Sequence, residues 1–316
     1  MLNKYLKEYK WSNIFAMIRN LKLDPKICFD DFHHRLVVIT GATSGIGYAT
    51  AKKYASRGAD LLLINRNEEK SKELCDELSA EFNSNCSYLI ANFSKISDVH
   101  KVGKELSTLE RSIDILIHNA GVYLTKRTIT VDNLESVFQT NYLSTFILNY
   151  YLREKLRNQK KGRILFVNSE AYRFAVFGLH LDDLSWEKHH YSGINSYSAA
   201  KMAQLLSMIK LDEYFQGTGI TVNAMHPGNV RTNSGQNNNW FYKLTKKIFI
   251  DSSARPLENS AEALYYLGVS SELDNISGKF FNLTTEEELA PPALDKDAAD
   301  KLWRISMNLG GFNDDR

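Results

Sequence analysis

From residue 36 onward, short runs of nearly unbroken apolar residues alternate with longer stretches in which apolar positions recur every three or four residues. The short runs fall at 36–40, 61–65, 87–90, 113–118, 164–168, 220–225 and 279–282. A strand with no polar face must be covered on both sides, which is the condition of a parallel sheet between helices. The helical patterns fall at 46–56, 68–82, 97–110, 133–157, 196–215 and 260–269. Parallel neighbours need crossovers, and these are right-handed in nearly every known sheet. The pattern predicts an α/β fold, a doubly wound parallel sheet of about seven strands flanked by helices.

Three segments break this rhythm. Residues 1–35 set Lys4, Lys7, Lys10, Arg19 and Lys22 among Leu2, Tyr5, Leu6, Trp11, Phe15 and Ile18. This reads as a basic, amphipathic extension with two open roles, a helix packed on the domain or contact with a membrane surface. Residues 36–316 then form one catalytic domain with two insertions, near 170–195 and 233–256. Both insertions come after strands at their carboxyl ends, where open α/β sheets bind ligands, and both read as substrate lids.

Bulk properties exclude several classes. The chain has 316 residues, 43% hydrophobic and 24% charged, which suits a globular protein rather than a disordered one. A net charge of +2, from 39 basic and 37 acidic residues, recommends no nucleic-acid partner. Cys28, Cys75 and Cys86 lack metal-ligand spacing, so no metal is expected and the thiols suit a reducing compartment. No window reaches the roughly 18 apolar residues of a membrane span. The expected location is cytoplasmic, with peripheral membrane association left to residues 1–35.

The candidate chemistry lies at the carboxyl ends of the strands. Gly41, Thr43, Ser44, Gly45, Ile46 and Gly47 join the first strand to a helix. Glycine there permits a tight turn and close backbone approach to a diphosphate, whose charge suits the helix N-terminus. After the second strand Asn65-Arg66-Asn67 offers no carboxylate. An acid at that place would bind both ribose hydroxyls, whereas the Arg66 guanidinium can pair with a 2′-phosphate. The expected cofactor is NADP(H). Asn92 comes after the third strand at the adenine edge, and Asn119, Ala120 and Gly121 after the fourth. Asn119 serves either the ligand or the end of its own strand. Tyr197 and Lys201 stand four apart on a helix and set a phenol beside an ammonium. Their charge relation should lower the phenol from its usual pKa of about 10. Ser169, ending the fifth strand, can hydrogen-bond a substrate oxygen.

Together these residues resemble the short-chain dehydrogenase/reductases. The matching pieces are Thr40-Gly-Ala-Thr-Ser-Gly-Ile-Gly47, Asn119-Ala-Gly121, Asn141, Ser169, Tyr197-x-x-x-Lys201 and Pro227-Gly228. The chain is most similar to the retinol-dehydrogenase and WW-domain-oxidoreductase branch. Asn92 and Asn168 depart from the usual pattern, standing where the family commonly has Asp and Ser. The resemblance implies a Rossmann fold, a catalytic set of Asn141, Ser169, Tyr197 and Lys201, and a proton-relaying water held by Asn141. It also implies that Tyr197 and Lys201 touch the cofactor and that Pro227, Gly228, Val230 and Thr232 border the nicotinamide. Homodimers through residues 133–157 and 196–215 are common in such proteins.

Phe174 and Phe177 in one insertion, with Trp240, Phe241, Tyr242 and Phe249 in the other, are either core or the wall of an apolar cleft. As a wall they favour a bulky apolar carbonyl or alcohol, a retinoid, steroid or lipid derivative. The competing functional reading is a catalytically silent NADP(H)-binding scaffold or redox-sensing interaction protein. Loss of Tyr197, Lys201 or Ser169 would favour it, and all three are present.

Overall fold

A computed structural model describes residues 23–177, 179–230 and 255–312, together with Tyr5, Glu8, Lys10, Arg19 and Asn20. Seven parallel strands occupy the apolar runs: β1 (Leu36–Thr40), β2 (Asp60–Asn65), β3 (Cys86–Ile90), β4 (Ile115–His118), β5 (Gly162–Val167), β6 (Ile220–His226) and β7 (Phe280–Asn282). An eighth, β8 (Thr285–Glu287), pairs antiparallel with β7. The order β3-β2-β1-β4-β5-β6-β7-β8 reverses direction between β1 and β4, so a crevice opens where β1 and β4 end.

Alternate residues of each strand feed two cores. On one face Val38, Leu62, Leu116 and Ile164 meet α3 (Ile96–Ser107), α4 (Ser144–Gln159), α5 (Gly193–Phe215) and α7 (Lys296–Leu309). On the other, Val37, Ile39 and Leu63 meet α1 (Gly45–Ala55), α2 (Glu68–Phe82) and α6 (Leu257–Val269). Both faces of the central strands are therefore dry, as the unbroken apolar runs require, whereas the edge strand β3 is partly exposed.

Local chemistry sets the helix ends. Asn67 caps α2 by accepting from Lys70 N at 2.8 Å, and Asn83 ends it in the left-handed region. The helical pattern at 133–157 starts later than expected, because Asn133 has φ +60° and the Glu135 carboxylate takes the N–H groups of Val137 and Phe138. Helical turn Ser136–Phe138 then passes through a π-helical turn, Gln139–Leu143, into α4. Asn141 lies on that π turn, consistent with the habit of π-bulges to mark functional sites.

Residues 23–35 cross the α1–α6 face without forming a helix. Cys28 and Phe32 join that core, and Tyr265 Oη donates to Asp30 O. Arg255 ties its guanidinium to Leu23 O and Asp24. Most of the extension before Leu23 lies outside the described residues. Among those described, no helix is long and apolar enough to cross a membrane.

Candidate active site

The turn between β1 and α1 is built from β1 and β4 together. Thr40 Oγ1 accepts from the N–H groups of Asn119 and Ala120, both at 3.0 Å. The Asn119 carboxamide donates to Thr40 O at 3.0 Å and Gly41 O at 2.9 Å. Asn119 thus holds the glycine turn, which accounts for it without a ligand. Asn65 at the end of β2 supports the turn from the other side, accepting from Ala42 N at 2.7 Å.

Two glycines are required here for different reasons. A Cβ at Gly47 would lie 2.3 Å from Gly41 O and 2.5 Å from Asn119 Nδ2, so the turn closes only on a bare Cα. Gly45 has φ +60° and faces open space, with nothing within 4 Å of the place a Cβ would occupy. Ser44 precedes α1 without capping it by its side chain. Thr43 is half-buried and Ile46 buried. A shaped backbone cradle at a helix N-terminus, open in front of Gly45, fits a diphosphate. Arg66 is exposed just beyond β2 with no carboxylate partner among the described residues, which fits a 2′-phosphate. Asn92 is half-buried, and its Oδ1 accepts from both the N–H and the hydroxyl of Ser94.

On the opposite face of the crevice, Ser169 comes after β5, and Tyr197 and Lys201 project from α5. Ser192 caps α5 by accepting from Asn195 N, and Ser196 Oγ donates to the buried Glu135, fixing the helix start against α4's entry turns. The Ser169 hydroxyl acts on the Tyr197 phenol to draw its pKa down. Burial acts more strongly in the other direction, and the phenol is pushed up to about 12, with Tyr123 adding to the rise. The rings of Tyr123 and Tyr197 meet edge to face at 5.5 Å. Lys201 Nζ lies 5.6 Å from the Tyr197 ring centroid and donates to Val167 O at 2.8 Å. Its burial lowers the ammonium to about 7. The expected lowering of Tyr197 by Lys201 is therefore overturned in the free protein. Desolvation penalises both charged forms, and the ammonium is held toward β5.

Asn141 is fully buried on the π turn. Its Oδ1 accepts from Val122 N at 2.7 Å and its Nδ2 donates to Val122 O at 2.9 Å, so the side chain pins the chain that leaves β4. Gly121 passes beside it, where a Cβ would lie 3.3 Å from Asn141 Oδ1. The backbone carbonyl of Asn141 is taken by a residue the sequence pattern did not single out, Gln204, whose Nε2 donates to it at 2.6 Å. The signal was its place three residues beyond Lys201, on the same helix face.

Pro227 and Gly228 come directly after β6. Ser260 Oγ donates to Pro227 O at 2.6 Å, and Gly228 takes φ +77°. Val230 is buried and bridges Arg255, so the second insertion is closed at its base. Thr232, Trp240, Phe241, Tyr242 and Phe249 lie outside the described residues, as does the side chain of Phe177. Phe174 is 65% exposed. In the first insertion Asp183 accepts from the N–H groups of Glu187, Lys188 and His189, and its carboxylate meets His189 Nδ1 at 2.8 Å. His180 stacks on His189 at 3.7 Å. These histidines serve the loop itself.

Comparisons with known proteins agree with this layout. The family model for short chain dehydrogenase matches residues 35–180. The WW domain-containing oxidoreductase of Drosophila melanogaster is 34% identical over 88% of this chain and 69% of its own length. Retinol dehydrogenase 13 of Mus musculus is 32% identical over 88% of this chain and 84% of its own. Among solved structures, an uncharacterised protein from Mycobacterium paratuberculosis superposes with a TM-score of 0.71 at 25% identity, covering 90% of this chain and 96% of its own. These likenesses establish that the chain belongs to the short-chain dehydrogenase family, a family of nicotinamide-dependent oxidoreductases.

Proposed function

We propose that the protein reduces an apolar aldehyde or ketone with NADP(H), Tyr197 delivering the proton, Ser169 holding the oxygen and Lys201 holding the cofactor's ribose. The observation that carries this reading is the Tyr197 ring 5.6 Å from the Nζ of the buried Lys201, one helical turn on, with Ser169 acting on the phenol from the end of β5. The nicotinamide, when bound, supplies the hydride.

The residues suit reduction for a physical reason. With its phenol pushed up to about 12, Tyr197 is protonated at neutral pH and stands ready as an acid. As hydride reaches the carbonyl carbon, charge grows on oxygen. Ser169 stabilises that charge by hydrogen bonding and Tyr197 neutralises it by proton transfer, giving the alcohol and a phenolate. The phenolate regains its proton from solvent.

NADP(H) is favoured over NAD(H) by Arg66 and by the lack of an acid beyond β2. A retinoid is the first substrate to try, because relatives at about this identity carry the name retinol dehydrogenase. The test is turnover of all-trans-retinal, a steroid ketone and a long-chain aldehyde with NADPH and with NADH, followed by loss of reduced-nicotinamide absorbance. A charge-assisted contact to the 2′-phosphate predicts that NADPH is preferred about tenfold or more in kcat/KM. Parity or a preference for NADH removes the Arg66 assignment, and no turnover of any of the three removes the apolar-carbonyl reading.

A further inference from the structure

Lys201 has three neighbours that hold it more closely than the tyrosine does. Its Nζ donates to Val167 O at 2.8 Å and to Gln204 Oε1 at 3.1 Å. Asn168 Nδ2 donates to the same Gln204 Oε1 at 3.1 Å and to Lys201 O at 3.0 Å. Gln204 Nε2 completes the set by donating to Asn141 O at 2.6 Å. Gln204, Asn168 and Asn141 are each 2% exposed or less, and Lys201 is 4% exposed. The Gln204 carboxamide therefore spans the gap between the ammonium and the π turn, using its acceptor on one side and its donor on the other.

We infer that Gln204 is a positioning residue for Lys201, its carboxamide linking the ammonium to the Asn141 carbonyl. The inference rests on the role given to Lys201 under the proposed function. It has a direct physical consequence. A fixed amide orients the ammonium before cofactor arrives, so binding does not have to order the lysine side chain, one of the most flexible in its free state. The link between Lys201 and Asn141 holds the ammonium in place. Asn168 belongs to the same device, since its carboxamide shares the Gln204 oxygen and fixes the rotamer from which Nε2 reaches Asn141.

The test compares Gln204→Met with Gln204→Glu. Methionine matches the volume and removes all of the hydrogen bonds, and glutamate restores the acceptor that Lys201 uses. The reading is the dissociation constant of whichever of NADPH and NADH binds the wild type more tightly, measured by nicotinamide fluorescence, alongside the thermal midpoint and turnover. Loss of a buried hydrogen bond to a charged group predicts cofactor binding weaker by about tenfold or more in Gln204→Met. Gln204→Glu should recover most of that loss. If Gln204→Met does not fold, Gln204→Asn carries the prediction in weaker form, because it keeps both functions but is one methylene too short to span the gap. Wild-type affinity in Gln204→Met, or equal impairment in Gln204→Glu, overturns the inference. Tyr197→Phe run in parallel separates the two levels. Full turnover in that variant means the site reading has failed, whereas lost turnover beside an unimpaired Gln204→Met means that only the Gln204 assignment has.

Discussion

Replacing Gly47 by alanine is the sharpest steric test of the glycine cradle. The added Cβ would stand 2.3 Å from Gly41 O and 2.5 Å from Asn119 Nδ2, about 1 Å inside ordinary contact. Neither neighbour can yield alone, because Asn119 Nδ2 donates to Gly41 O at 2.9 Å and to Thr40 O at 3.0 Å. Moving the turn breaks at least one of these bonds, at about 1 kcal/mol, and overpacking adds roughly 1–3 kcal/mol. A loss of about 2–4 kcal/mol in unfolding free energy is expected by urea titration. The same shift carries the backbone of the cradle about 1 Å from its place, enough to weaken a fitted ligand about a hundredfold. Gly45→Ala is the control. Its Cβ meets nothing within 4 Å, so only the left-handed φ of +60° counts against it, at about 1–2 kcal/mol. NADPH affinity by fluorescence titration then distinguishes the two. Wild-type stability and affinity in Gly47→Ala would refute the geometry of the turn.

Buried groups yield two further outcomes. Burial pushes His118 and His226 down to about 4, so the unfolded chain takes up their protons below about 6.5 while the folded chain does not. Each histidine therefore contributes stability above pH 6.5 that is lost as pH falls toward 4, up to about 3 kcal/mol apiece. Glu170, pushed up by burial, acts with the opposite sign, so the histidine share is read as the difference in acid sensitivity between wild type and His118→Gln. Equal urea midpoints for the two proteins at pH 7 and again at pH 4.5 would contradict it. Arg163 donates to Leu267 O and Ser270 O, which end α6, and pairs with Asp274. Arg163→Met leaves buried carbonyls unpaired and should cost about 2–4 kcal/mol in urea unfolding, with NADPH affinity little changed.

Much of the fold is legible because parallel strands buried on both faces leave an unmistakable apolar signature. The runs at 36–40 and 279–282 coincide with β1 and contain β7, and the pattern at 68–82 coincides with α2, which also carries Asn67 as its cap. The edge strand β8 leaves no such mark. Thr285, Glu286 and Glu287 are polar, and their pairing depends on β7 and on Leu283 turning at φ +52°. Helix α7 is legible in principle, with Asp295 as its cap and Ala299, Leu302 and Met307 buried along one stripe, but it lies beyond the strand–helix alternation. The π turn is hidden because apolar spacing continues through it, and the cause, Asn141 clamping Val122, spans 19 residues. Site chemistry divides the same way. Motif residues are visible as motifs, whereas the direction of the Tyr197 shift depends on burial and on where Lys201 points, and both are set by tertiary packing. Gln204 is marked only by its place three residues beyond Lys201, a spacing too common to single it out until its two partners are known.

The central claim is that Tyr197 is the acid of a carbonyl reduction, and Tyr197→Phe tests it most directly. The change removes one oxygen from a side chain whose ring contact with Tyr123 remains, so the fold and NADPH binding should persist. NADPH affinity within about threefold of wild type, with single-turnover reduction of a substrate used by the wild type lowered by about a hundredfold or more, is the predicted result. Reduction at the wild-type rate in the phenylalanine variant would contradict it.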